Sequence, residues 1–317
     1  MGILLLALGI PILVGSHGVK EFTVNYDNVG ALGNQRTFED KNTFMFSQNG
    51  NGASGTVTIP VTSTMKQPVY LYYQLSKYYQ NHKRYVRSRD DKQLAGVGKQ
   101  ANDTASNRGI CNPEEFLGGP DGHFEANAPN GNIARPCGLI AWSNFNDTFS
   151  LPPQYNVRED EIAWEYDIEH LYANFTEENY NPSTAPQYRG GGNFSQGPGM
   201  RDNQHLIVWL RPSAHRTFRK LYGVIHQDIS PGNITVTVNS RYNTYGFGGQ
   251  KAIVLATTSW VGGKNDFLGI MYIIFGVLAL VVALGFLLTY QMGLMKRRRF
   301  GDPSYLSWNR HANLMAR

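Results

Sequence analysis

Residues 267–290, FLGIMYIIFGVLALVVALGFLLTY, carry no charged side chain, and nothing else in the chain limits its fold so strictly. At ~1.5 Å per residue such a helix reaches about 36 Å, enough to cross the ~30 Å hydrocarbon layer with some tilt. A soluble core helix needs no uncharged run of this length. Lys296, Arg297, Arg298 and Arg299 follow the stretch. A basic cluster just past a span marks its cytosolic end, so these four residues are expected to form a cytosolic anchor. Gly269, Gly276, Ala279 and Ala283 fall within about 80° of one another at 100° per residue. Small residues so aligned let a partner helix's backbone approach closely.

The N-terminal run, residues 1–15 (MGILLLALGIPILVG), is apolar but shorter. At helical rise it covers only ~22 Å. Two readings compete: the end of a first transmembrane helix whose beginning is missing, or a secretory signal cleaved near Val14 and Ser16. Either reading sends the residues after Ser16 to the non-cytosolic side. Five Asn-X-Ser/Thr sequons agree with that side: Asn102, Asn146, Asn174, Asn193 and Asn233. All precede the long span, and none follows it. The expected division is 1–16 as the truncated or signal-like segment, 17–264 as a glycosylated ectodomain, 265–291 as the span and 292–317 as a basic cytosolic tail.

Charge and cysteine content fit this layout. The net charge is +5, yet the tail from Lys296 onward holds six basic residues against one acid, so the remainder is neutral. The basic balance thus argues for a membrane-flanking stretch rather than nucleic-acid binding. Cys111 and Cys137 are the only cysteines. An even count outside the cytosol suggests a disulfide, worth roughly 3 kcal/mol by loop closure; two free thiols are the alternative.

The dominant local period is two. Phe22, Val24 and Tyr26 alternate with polar residues, as do Val57, Ile59 and Val61, then Leu206, Val208 and Leu210, then Ile234, Val236 and Val238. Such alternation predicts half-buried strands, and residues 69–75 and 252–257 add two more. Helices are expected over 74–87 and 217–222. The fold class is therefore a membrane protein with a mainly β, antiparallel sandwich-like ectodomain, long loops at 95–137 and 178–203, and flanking transmembrane helices.

No catalytic motif emerges. Ser54 in GASG lacks the spacing of a nucleophile elbow. Gly246, Gly248 and Gly249 precede Lys251 without a phosphate-loop ending, and a hairpin turn is expected there. Cys111, His123 and Cys137 are one ligand short of a structural zinc site. The acids Glu159, Asp160, Glu161, Glu165, Asp167 and Glu169 alternate with Ile162 and Trp164, which predicts a strand with an exposed acidic face. Two basic-aromatic stretches remain, 78–89 (YYQNHKRYVRSR) and 211–222 (RPSAHRTFRKLY). On the non-cytosolic side their targets are anionic headgroups or a partner's acidic surface, unless the cations merely lay their stems over a β face.

Several segments resemble the cell division control protein 50 (ligand-effect modulator) family, the β-subunits of type IV P-type ATPase phospholipid flippases. They are YYQLSKYYQNHKRYVRSRDDKQL (72–94), PCGLIAWSNFNDTF (136–149), NPSTAP (181–186), HLIVWLRPSAHRTFRKLYG (205–223), SWVGGKNDFLG (259–269) and FGDPSYLSWNR (300–310). The resemblance implies a two-span protein with cytosolic ends that pairs as a heterodimer with a P-type ATPase moving aminophospholipids. It also implies no cofactor, no catalysis of its own, and a chaperone role in exit from the endoplasmic reticulum, with residence there or in Golgi, endosomes or plasma membrane. It favours the truncated-helix reading of residues 1–16 and makes the Cys111–Cys137 disulfide expected. Family members often carry further cysteines after the first helix, and residues 27–45 have none. The competing function is an independent cell-surface adhesion or receptor glycoprotein.

Overall fold

The structure, a computed structural model, describes residues 1–48, 50–96, 110–114, 136–173 and 201–292. In chain order its elements are α1 (Gly2–His17), β1 (Glu21–Asn25), α2 (Phe38–Ser47), β2 (Ala53–Val61), β3 (Val69–Leu75), α3 (Lys83–Arg87), α4 (Asp91–Leu94) and α5 (Leu139–Trp142). They continue with β4 (Thr148–Ser150), α6 (Gln204–Leu210), β5 (Phe218–Ile225), β6 (Gly232–Ser240), β7 (Lys251–Thr257) and α7 (Asp266–Gln291). The chain divides into two compact units: Val19–Thr258, and Met1–Gly18 with Ser259–Arg317.

The larger unit is built from two antiparallel sheets, ordered β1-β7-β3-β5 and β2-β6-β4. Alternation decides which faces turn inward. Val69, Leu71, Tyr73 and Leu75 of β3 are buried while the residues between them are half-exposed. They share one core with Ile59 and Val61 of β2 and Ile234, Val236 and Val238 of β6. Strand β7 is buried at all seven positions, as its unbroken apolar run after Lys251 requires of a strand covered on both faces. At about 25 cal/mol per Å² of apolar surface removed from water, such burial is the main force holding the sheets together.

In the smaller unit, α7 spans Asp266–Gln291, matching the expected span to within a residue at each end. Among the described residues it is the one helix long and apolar enough to cross a membrane. The Asn265 side chain accepts from the Phe267 amide and caps its start. Apolar α1 is shorter, with 16 residues.

Four local expectations fail, each for a physical reason. Leu206, Val208 and Leu210 lie on helix α6, not on a strand. Every residue from Leu206 to Leu210 is apolar, so alternation is uninformative there. The residues buried are Leu206, Ile207, Trp209 and Leu210, a helical face, and the Asn203 side chain caps it by accepting from the Leu206 amide. Of residues 217–222, all but Thr217 fall instead within β5, where Phe218 pairs with Leu75 of β3. The helix expected over 74–87 shrinks to Lys83–Arg87, because β3 runs through Leu75 and the Ser76 amide still donates to the Gln250 carbonyl. The acidic run makes only an isolated bridge, Arg158 to Val224, and then bends into a helical turn at Asp167–Leu171. Its backbone is satisfied otherwise: the Ile162 and Ala163 amides both donate to the Gln204 side chain.

The hairpin expected at Gly246–Gly249 is also absent. β6 and β7 belong to different sheets, so this segment carries the chain from one to the other through a 3-10 turn at Tyr245–Phe247 and Gly248 at φ 67°. The loops at 95–137 and 178–203 fall largely outside the described residues.

Candidate functional site

Helices α1 and α7 pack antiparallel through glycines. A Cβ on Gly276 would lie 3.1 Å from the Gly2 carbonyl oxygen and 2.9 Å from Leu6 Cγ. One on Gly269 would lie 2.9 Å from the Leu13 amide nitrogen, and one on Gly9 3.1 Å from the Gly269 carbonyl oxygen. Two stripe residues named from sequence therefore meet a helix of this same chain. The matching contacts, Gly2 with Gly276 and Gly9 with Gly269, repeat every seven residues along both helices. Ala279 is half-buried and Ala283 exposed. A polar clasp closes the pair. Fully buried Ser16 donates to Asp266 at 2.5 Å, and its hydroxyl accepts from the Asn265 amide at 2.9 Å. The basic anchor Lys296, Arg297, Arg298 and Arg299 lies outside the described residues.

In the larger unit, Cys111 and Cys137 form a disulfide with Cα atoms 5.7 Å apart. Their bonding as a disulfide removes the thiols from any metal reading, and His123 lies outside the described residues. Side chains in and just after the 78–89 stretch hold the bridge. The Ser88 hydroxyl donates to the Cys111 carbonyl at 2.9 Å, and the Cys137 amide donates to Gln93 at 3.0 Å. Gly138 has φ 98°, and a Cβ there would fall 2.0 Å from the Ser88 carbonyl oxygen, so only glycine fits this crossing. Of the sequons, Asn233 is exposed at the start of β6 and Asn146 is half-buried. Asn102, Asn174 and Asn193 lie outside the described residues.

A buried ionic centre escaped the sequence reading. The Lys251 ammonium donates to Asp147 at 2.8 Å, to the Ser240 hydroxyl at 2.7 Å and to the Tyr242 carbonyl at 2.7 Å. Asp147 also accepts from the Tyr26 hydroxyl at 2.8 Å and from the Arg241 and Tyr242 amides. Burial, and then the Asp147 charge, push the Tyr26 hydroxyl well above its ordinary pKa, so Tyr26 stays a donor. With its charges paired and hydrogen-bonded, this centre ties β7 to the chain entering β4. The sequence signal was a single lysine at the head of an otherwise apolar strand.

The two basic-aromatic stretches converge on a cleft of about 660 Å³. Its rim carries Lys77, Tyr79, His82, Arg84, Arg216 and Phe247. Tyr78 and Tyr85 form the floor, with ring centres 6.0 Å apart edge to face, and Leu139 of α5 closes one side. Tyr78 also meets Trp209, Phe218 and Phe247 edge to face at 5.7, 5.9 and 5.5 Å. The Tyr85 hydroxyl hydrogen-bonds Ser143 at 2.7 Å, and burial holds its pKa well above the ordinary value. The floor is thus an interlocked aromatic cluster beneath a rim that carries Lys77, Arg84 and Arg216.

Among the described residues no group of three or more His, Cys, Asp or Glu side chains could hold a metal ion. The glycine-packed helix pair, the disulfide and the cleft are built from segments scattered along the chain. Those segments coincide with an extended family match. The model of the LEM3 (ligand-effect modulator 3) family / CDC50 family matches residues 12–298. The chain is 40% identical over 316 residues to ALA-interacting subunit 3 of Arabidopsis thaliana, covering 98% of this chain and 83% of that protein. It is 30% identical to Cell cycle control protein 50A of Mus musculus over 310 residues, covering 89% and 79%. It is 34% identical to the Saccharomyces cerevisiae phospholipid-transporting ATPase accessory subunit LEM3 over 270 residues, covering 80% and 62%. With the match running from within α1, through both sheets and the disulfide, past the end of α7, the chain belongs to the LEM3/CDC50 family.

Proposed function

We propose that the chain is the non-catalytic accessory subunit of a phospholipid-transporting P-type ATPase, with which it forms a heterodimer. The observation that carries this reading is the family match across residues 12–298, joined to relatives named as accessory or interacting subunits of such pumps. Those names favour a subunit over a free-standing adhesion or receptor protein.

In this reading α1 and α7 both lie in the membrane and both chain ends face the cytosol. The basic run Lys296, Arg297, Arg298 and Arg299 supports that orientation. The Val19–Thr258 unit then folds on the other side, where an oxidising compartment lets the Cys111–Cys137 bridge persist. Asn102, Asn146, Asn174, Asn193 and Asn233 are the sugar acceptors there. With Gly269 and Gly276 occupied by α1, the ATPase helix meets α7 on the part of the stripe that carries Ala279 and Ala283. The subunit aids exit of the pump from the endoplasmic reticulum and supports aminophospholipid transport without handling ATP.

Affinity purification of the tagged full chain in mild detergent, followed by mass spectrometry, tests this. A P-type ATPase in near-equal amount is the expected result. Repeated recovery of the chain without any ATPase overturns it. N-terminal sequencing of the same preparation adds a check: a new terminus near His17 would remove α1 from the mature protein and with it the two-span layout.

A further inference from the structure

The cleft rimmed by Lys77, His82, Arg84 and Arg216 has a composition that folding alone does not require. All four side chains are exposed, none of the cleft's lining residues is acidic, and none of the four has an ion-pair partner among the described residues. Some exposed cations elsewhere in the same unit pair with acids, Lys66 with Asp228 at 2.6 Å, Arg158 with Asp160 at 2.8 Å and Arg219 with Glu21 at 2.7 Å, while others such as Arg36, Lys83 and Arg87 have no ion pair among the described residues. What sets the cleft apart is that three such cations, Lys77, Arg84 and Arg216, are gathered in one lining with exposed aromatic rings.

Lys77 adds a second, independent sign. It follows β3 with φ 55°, in the left-handed region that glycine enters freely and a lysine enters only against its Cβ. Its ammonium lies 3.6 Å from the point where a Cβ on Gly248 would stand, and Gly248 is itself at φ 67°. A glycine at position 77 would make the turn at lower cost. A lysine there directs a cation across the cleft wall instead. Beside it, two large rings face solvent: Tyr79 is 55% exposed and Phe247 45%. Exposed aromatic side chains next to unpaired cations, over a rigid floor, are the anchor pattern of protein docking sites.

We propose that this cleft docks an acidic peptide segment of a partner protein, its carboxylates taken by Lys77, Arg84 and Arg216 and an aromatic or aliphatic side chain seated between Tyr79 and Phe247. The volume of about 660 Å³ suits a few side chains. The three cations Lys77, Arg84 and Arg216 come from two separate stretches of chain and sit on separate side chains of the lining, which matches several spaced carboxylates better than one compact phosphate. The aromatic share of the lining gives no advantage to a headgroup without an apolar part. The proposal goes beyond the accessory-subunit reading and does not depend on which protein supplies the segment.

The test is fluorescence anisotropy on the full chain, purified in detergent, with a dye-labelled peptide of alternating Glu and Phe. The expected result is saturable binding that weakens with salt and is absent for the Lys and Phe counterpart. Lys77→Glu with Arg216→Glu should weaken it at least about tenfold, as loss of two charge-assisted contacts implies. Phe247→Ala should weaken it several-fold. Because these side chains are exposed, the variants should melt with the wild type, and Lys77→Gln with Arg216→Gln provides a milder pair if they do not. Equal affinity of wild type and charge variants overturns the proposal. So does absence of peptide binding by the wild type, or cleft-dependent binding confined to inorganic phosphate or phosphatidylserine vesicles. Recovery of an ATPase in the affinity purification is independent of all these results, so the two readings fail separately.

Discussion

The Lys251 ammonium lies 2.8 Å from the Asp147 carboxylate, with neither side chain exposed to solvent. Lys251 opens β7 of one sheet and Asp147 immediately precedes β4 of the other, so one ion pair links the two sheets. Removing a single partner strands a charge in the core, which costs about 3–5 kcal/mol, whereas replacing both with apolar residues costs much less. A domain's whole stability is only about 5–15 kcal/mol.

Lys251→Met or Asp147→Asn should therefore lower the melting temperature sharply, and Lys251→Met combined with Asp147→Leu should recover much of the loss. Thermal unfolding of the full chain in detergent measures both. A Lys251→Met protein that melts like the wild type would show that the pair does not hold the sheets.

Loss of the disulfide should weaken the same unit by a different route. Cys111 and Cys137 are 26 residues apart, and opening that loop costs roughly 3 kcal/mol on the chain-entropy estimate. Cys111→Ser, Cys137→Ser and the double variant should destabilise alike, because each frees the same loop. All three should be held in the endoplasmic reticulum, read as persistent sensitivity of their glycans to endoglycosidase H. Normal maturation of all three would make the bridge dispensable.

How far these features could be read in advance depends on how many physical effects each residue serves. The long apolar helix ending near Tyr290 was legible because an uncharged run of that length has no polar position to interrupt it. Strands β2 and β6 were legible because the alternation of Val57, Ile59 and Val61 and of Ile234, Val236 and Val238 survives in their burial. Segment 206–210 misled because every residue in it is apolar, leaving only the Asn203 cap to point to a helix. Glu161 and Trp164 suggested a strand, but that backbone is satisfied by Gln204, 40 or more residues away. The cleft was half legible: both basic-aromatic stretches stood out, while their meeting through β3 and β5 is a property of the sheet. The Lys251–Asp147 pair spans 104 residues, and no local pattern announces such a contact.

Helix pairing offers a third prediction. A side chain at Gly269 would meet the Leu13 backbone at 2.9 and 3.0 Å, and a backbone cannot swing aside as a side chain can. Gly269→Leu should force α1 and α7 apart, while Gly285→Leu, with open space around its Cβ position, should not. Ser16→Cys with Asp266→Cys provides the reporter, since those side chains already touch. Oxidative cross-linking should be efficient in the parent and the Gly285→Leu background and fall several-fold with Gly269→Leu. Equal yields in all three would mean that the glycine contacts do not set the pairing.

Lys220 makes the unit's stability depend on pH. It is 7% exposed, and its amine donates to the carbonyls of Val208 at 3.0 Å and of Arg211 at the end of α6. Burial, and secondarily the Arg211 charge, push its pKa down from 10.5 to about 7. Above pH 10.5 Lys220 is neutral in both folded and unfolded chains, and its full contribution is present. Between 10.5 and about 7 the unfolded chain binds a proton that the folded chain does not, so stability falls as pH falls. Below about 7 both states are charged and the contribution is flat at its lowest value. The melting temperature should accordingly rise from pH 6 to pH 9 more steeply in the wild type than in Lys220→Met. The variant also leaves the Val208 and Arg211 carbonyls without their donor, but that loss is a constant offset and cancels from the slope. A wild-type-minus-variant difference that stays the same from pH 6 to pH 9 would show that Lys220 does not titrate in this range.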